Sequence, residues 1–144
     1  MTPMRITPHH LPAVADLERR VFASPWSEQS LALLCSENAF GFAVCEGDAV
    51  IAYAGMLTVL DEGQITNVAT HPDYRRRGFA ALVLTALLEE ARSRQLAFVT
   101  LEARESNEGA IALYRKLGFE VVGKRPRFYT NPTEAAWIMQ CELK

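Results

Sequence analysis

The sequence predicts a mixed α/β fold: one layered sheet, antiparallel through its first half, followed by a single strand–helix–strand crossover. Three observations carry this prediction. Residues 40–60 form two apolar runs joined by a Glu46-Gly47-Asp48 turn, the pattern of a hairpin. The strongest helical stripe, Ala80, Val83, Leu84, Leu87, Leu88 and Ala91, lies between two strand-like segments. The chain has 144 residues, 49% hydrophobic and 22% charged, which suits one compact domain over 1–144 and excludes a disordered polyelectrolyte.

The elements follow in order. Met4–Thr7 reads as a short strand, and Thr7-Pro8 opens a helix with Pro at its first position. Leu11, Val14, Leu17 and Val21 recur along that helix at its period. Ser27 caps a second, short helix carrying Leu31 and Leu34. Phe40–Cys45 and Ala49–Leu60 are the hairpin strands. Asp61-Glu62-Gly63 turns the chain into a strand over Ile65–Thr70, ended by His71-Pro72. The long helix follows. Ala97–Ala103 is a strand, Asn107–Lys116 a helix stopped by Gly118, and Phe119–Gly123 and Ala136–Leu143 are the last strands. About four helices accompany the sheet.

Charge and cysteine content narrow the function. The net charge of −2 disfavours a general nucleic-acid binder, and no apolar run is long enough for a membrane-spanning helix. The charge is unevenly placed: residues 1–72 hold three basic and eight acidic side chains, residues 73–144 twelve and nine. Cys35, Cys45 and Cys141 are widely spaced, and His9, His10 and His71 do not group with them, so neither a metal site nor a disulfide framework is expected. The first residues lack a signal-peptide pattern, and a reduced, cytoplasmic protein is the simplest expectation.

The segment Val68-Ala69-Thr70 … Arg75-x-x-Gly78-x-Ala80 runs from a strand through a basic turn into a helix N-terminus. Unpaired N–H groups and the positive end of the helix dipole favour a phosphate there, and Arg75, Arg76 and Arg77 add charge. On spacing alone, a phosphate cradle and a solvated basic loop are equally good readings. Neither the P-loop nor the dinucleotide fingerprint is present.

Arg75-x-x-Gly78-x-Ala80 after a strand resembles the acetyl-CoA motif of the GNAT N-acetyltransferases. So do Phe22-x-x-Pro25-Trp26-Ser27, Asp61-Glu62-Gly63, and the run Leu101-Glu102-x-Arg104-x-Ser106-Asn107-x-x-Ala110-x-x-Leu113-Tyr114-x-x-x-Gly118-Phe119. In that order they are similar to the branch of the family that acetylates the N-terminal alanine of a small-subunit ribosomal protein. The resemblance implies a mixed sheet splayed open between its fourth and fifth strands, with acetyl-CoA as co-substrate and no metal. It implies a protein or peptide N-terminus, that of a ribosomal protein, as partner. Val68, Ala69 and Thr70, the turn Arg76, Arg77, Gly78, Phe79, Ala80 and Ala81, and Asn107 would bind the cofactor.

Within the same resemblance Glu102 is the general base and Tyr114 the general acid. Strand parity places Glu102 on one face with Phe98 and Thr100, and Tyr114 shares a helical face with Asn107, Ala110 and Leu117. Taken without the motif, Glu102 is a solvated strand-end carboxylate and Tyr114 a half-buried core tyrosine. Asp61 and Glu62 are expected beside the substrate cleft, facing a cationic acceptor. Trp26 is either a core anchor or part of the peptide groove, and Phe128-Tyr129 is expected in the loop before the last strand, flanking the peptide. Three positions depart from the family pattern on the acceptor side: Phe128 for Tyr, Pro126 for a basic residue, and Glu134-Ala135 for an acidic pair. They leave open an acetyltransferase for lysine or a small amine, and more remotely a non-catalytic acyl-CoA-binding module.

Overall fold

The computed structural model describes residues 1–144. In chain order the elements are β1 (Met4–Arg5), α1 (Leu11–Val21), α2 (Glu28–Leu31), β2 (Ala39–Glu46), β3 (Ala49–Val59), β4 (Glu62–Thr70), α3 (Phe79–Ser93), β5 (Phe98–Arg104), α4 (Glu108–Lys116), β6 (Glu120–Tyr129) and β7 (Glu134–Glu142). Short 3-10 turns precede α1, extend α2 and precede α3. The expected cap at Ser27 forms, its Oγ accepting from Ser30 N–H at 3.1 Å, and α4 is capped in the same way by Asn107 Oδ1, which accepts from Ala110 N–H at 3.2 Å.

The seven strands make one sheet in the order β1-β2-β3-β4-β5-β7-β6, and β4–β5 is its only parallel pair. The two strand boundaries that differ most from the sequence reading are those of β4 and β6. β4 starts at Glu62, so the turn before it shrinks to Leu60-Asp61, with Leu60 at φ 55°. β6 continues to Tyr129 instead of stopping at Gly123. It is an edge strand exposed along almost its whole length, so it has no buried face to impose an apolar/polar alternation.

Each face of the sheet carries its own core. On one face α3 and α4 bring Val83, Leu84, Leu87, Ile111 and Tyr114 against Phe40, Met56, Ile65, Val99, Leu101, Ala103 and Met139. On the other, α1 and the α2 region bring Leu11, Val14, Leu17, Leu31 and Leu34 against Ala43, Tyr53 and Ala69. The first core spans β2 to β7, whereas the second touches only β1 to β4.

Two irregularities position the site. β4 and β5 pair only at Glu62↔Phe98, Gly63↔Val99 and Gln64↔Thr100, and beyond that they diverge, β5 continuing on β7 alone. In the β3–β4 ladder Met56 opposes Ile65 and Gly55 opposes Asn67, leaving Thr66 as an extra residue in a bulge.

Candidate active site

The diverging halves of β4 and β5 enclose a cleft of about 450 Å³. Ile65–Val68 form one wall and Leu101–Arg104 the other, with Asn107, Ala110 and Tyr114 beside them. Phe22–Ser24, before α2, and Phe128–Asn131, at the β6–β7 turn, close the sides. Val68, Glu102, Asn107, Tyr114, Phe128 and Tyr129 are thus brought together as the sequence predicts.

Glu102 alternates with Val99, Leu101 and Ala103, which are buried under α3 and α4, so its exposed carboxylate projects on the α1 face. Tyr114 is buried, and that burial pushes its phenol up to about 12, with Tyr129 adding to the rise. It therefore remains protonated throughout the neutral and mildly alkaline range. Tyr129 is also raised, first by burial and then by the Glu102 carboxylate, while Arg104 opposes the shift. Asn107 commits its side-chain oxygen to the α4 cap and keeps its amide nitrogen as a donor.

The turn after β4 is a second subsite. Arg76 (φ 64°) and Gly78 (φ 82°) take left-handed backbone, and Gly78 caps α3 without a side chain. A Cβ at Gly78 would meet nothing within 4 Å, so the space over the α3 N-terminus is open. The first N–H groups of the helix, at Phe79, Ala80 and Ala81, have no partners inside it. Arg76 and Arg77 add positive charge. Arg77 lies over the Tyr74 ring at 5.3 Å, and Tyr74 hydroxyl donates to Glu46 Oε2, which ties the turn to the β2–β3 hairpin. Open backbone donors plus guanidinium groups fit the pyrophosphate of acetyl-CoA. Thr70 connects this turn to the cleft along β4. Ala69 turns its methyl into the α1-side core and can offer only main-chain atoms.

On the acceptor side two expectations are corrected and the alternative left open at Trp26 is decided. Asp61 and Glu62 do not flank the cleft. Glu62 pairs with Phe98 and Asp61 C=O accepts from Ala97 N–H at 2.6 Å, so both lie at the end where β4 and β5 are still joined. Trp26 packs on the α1-side core as an anchor, and Phe22–Ser24 line the cleft in its place. Phe128 and Tyr129 end β6, with Phe128 44% exposed and its ring 4.9 Å from that of Tyr129.

Several site residues escaped the sequence reading. Arg104 stacks on Tyr129 (4.4 Å) and donates to Thr130 C=O (3.1 Å), Pro132 C=O (3.2 Å) and Glu134 Oε1 (3.2 Å). Glu134 Oε2 accepts from Ser106 N–H, and these two contacts hold the Glu134 carboxyl below its usual range. The β6–β7 turn is thereby fastened to the start of α4. Glu18, wholly buried, accepts from Trp26 N–H (2.8 Å), Tyr53 hydroxyl (2.5 Å) and Asn67 Nδ2 (3.1 Å). Burial and this carboxylate push the Tyr53 phenol strongly up. A signal for Glu18 was present: it lies four residues after Val14 and three before Val21, on the apolar stripe of α1.

Residues 11–119 match the acetyltransferase (GNAT) family. The chain is 39% identical over 131 residues to the [ribosomal protein bS18]-alanine N-acetyltransferase of Escherichia coli, covering 90% of this chain and 88% of that protein. It is 34% identical over 128 residues to a putative enzyme of the same name from Bacillus subtilis, covering 88% and 85%. The crystal structure of the ribosomal-protein-S18-alanine N-acetyltransferase from Escherichia coli superposes with a TM-score of 0.91 at 36% identity, over 99% of this chain and 94% of the other.

Proposed function

The chain belongs to the GNAT acetyltransferase family and is an acetyl-CoA-dependent N-acetyltransferase, and from that premise we propose that its acceptor is the α-amine of the N-terminal alanine of ribosomal protein bS18. The observation that carries the proposal is the 39% identity across 90% of the chain to an enzyme named for that reaction. The cleft supports it, with a carboxylate and a protonated phenol lining the same space.

In the proposed reaction acetyl-CoA lies with its pyrophosphate at the Arg76–Ala81 turn and its thioester between β4 and β5. Val68 and Thr70 offer main-chain groups along its path, and Asn107 offers its amide nitrogen. The acceptor amine enters from the α1 face, between Phe22–Ser24 and Phe128–Tyr129. Glu102 takes a proton from the amine, whose nitrogen forms a bond to the acetyl carbon. The carbon–sulfur bond breaks, and Tyr114 hydrogen-bonds the departing thiolate. An α-amine with a pKa near 8 is already neutral in about one molecule in ten at pH 7, so one carboxylate is a sufficient base.

The test is acetyl transfer from acetyl-CoA to an alanine-first basic peptide, followed by mass spectrometry, beside the same peptide with a blocked N-terminus and a polyamine. Acetylation of the free N-terminus alone supports the proposal. Equal rates on the blocked peptide would assign the enzyme to side-chain amines instead.

A further inference from the structure

Glu18 brings no cation into its buried site; three donors meet its charge instead, and one of them is Asn67. A carboxylate only accepts hydrogen bonds, so it fixes the sense of the Asn67 amide: nitrogen toward Glu18, oxygen away. That oxygen, Oδ1, is buried and has no partner in the protein, on a residue that lines the cleft. Thr66 Oγ1, in the bulge, is likewise unpaired. Buried polar atoms of this kind are costly unless a ligand satisfies them.

The register shows where such a ligand would lie. The last joined pair is Gln64↔Thr100. The bulge adds one residue to β4, so counting onward brings Asn67, not Thr66, level with Glu102 across the opening. Both side chains are on the α1 face: Glu102 by the alternation of β5, Asn67 by its bond to Glu18. We infer that Asn67 is an acceptor-binding residue that receives an N–H of the incoming amine opposite Glu102, and that Glu18 is the positioning residue that aims it. This rests on the amine acetylation proposed above. The same Glu18 carboxylate holds Trp26 N–H, so it sets the Phe22–Ser24 wall and the Asn67 amide together.

The experiment measures acceptor KM, kcat and acetyl-CoA affinity for the wild type, Asn67→Ala and Glu18→Gln, using the alanine-first peptide and calorimetry with acetyl-CoA. Asn67→Ala should raise the acceptor KM by about tenfold or more, the loss expected for a hydrogen bond to a charged group, and leave acetyl-CoA affinity within about twofold. Glu18→Gln replaces an acceptor with an amide that can also donate, frees Asn67 to turn its nitrogen to the cleft, and should raise the same KM with the same selectivity. A merely structural role would weaken both substrates together. Should Asn67→Ala fail to fold, Asn67→Ser and Glu18→Gln carry the same comparison. An acceptor KM unchanged in the folded variants, or a parallel loss of both affinities, overturns the inference. A wild type that acetylates no α-amine overturns the proposed function, and this inference falls with it.

Discussion

Replacing Tyr114 by Phe removes one oxygen from the cleft and little else. The ring keeps its edge contact with Phe119, at 6.1 Å between centroids, and its shift has no hydrogen-bonding cause. Fold stability should therefore stay within about 0.5 kcal/mol. The chemical effect follows from the phenol being pushed up to about 12. A thiol titrates near 8.5, so full proton transfer from Tyr114 to the leaving thiolate is uphill by roughly 3.5 pKa units, or about 5 kcal/mol. In the proposed reaction Tyr114 therefore serves mainly to hydrogen-bond the negative charge as it grows on sulfur. A hydrogen bond to a charged group contributes about 1.5–3 kcal/mol, which converts to a loss of about 10- to 150-fold in kcat. The assay is steady-state release of CoA thiol with an α-amine peptide, alongside a thermal melt. A donor thioester with a more acidic leaving thiol needs less help and should narrow the gap between variant and wild type. Turnover within twofold of wild type, or an identical deficit with both donors, would refute the reasoning.

Glu102→Gln should lower kcat on the same peptide by about 100-fold at pH 7. About tenfold of that loss should return by pH 9, where the α-amine deprotonates unaided; a deficit that is constant with pH would remove Glu102 from the role of base. Gly78→Ala forces a methyl onto a φ of 82° and should cost about 1 kcal/mol of stability while raising the acetyl-CoA KM, measured with the acceptor saturating. Gly63→Ala would bring a Cβ to 2.8 Å from Met56 Sδ and 3.2 Å from Leu96 Cδ1 and Val99 Cγ2, and should destabilise by about 1–3 kcal/mol in denaturant titration.

The parts of the fold with a one-sided burial pattern were legible. The α3 stripe and the parity of Glu102 follow from helical or alternating apolar spacing, whereas the β2–β3 hairpin, buried on both faces, was legible from two apolar runs joined by a turn; the structure repeats all three. The cap at Ser27 was legible because a side-chain oxygen has a fixed place at a helix start. The second half of β6, from Lys124 to Tyr129, was not, because an exposed edge strand leaves no periodicity to read. The placement of Asp61 and Glu62 failed for a related reason. Their charge suggested a partner, but their position depends on where a parallel register ends, and no local pattern records that. Arg104, Glu134 and Glu18 act through partners 30 to 49 residues away, at Glu134, Arg104 and Asn67 respectively, and sequence spacing does not encode such pairs.

The parting of β4 from β5 has a mechanical consequence. Two plates, β1–β4 and β5–β7, share three register pairs and a core on the α3–α4 face, while the α1-side core belongs to one plate alone. The molecule is a book bound along one edge and backed on one cover. Main-chain amides facing the gap lack the ladder that protects the rest of the sheet, and they should exchange hydrogen first. A ligand lying along the gap bridges both plates and couples them. At one hundred times its Kd it would stabilise the folded chain by about 2.7 kcal/mol, and slower exchange should appear on both sides of the opening at once.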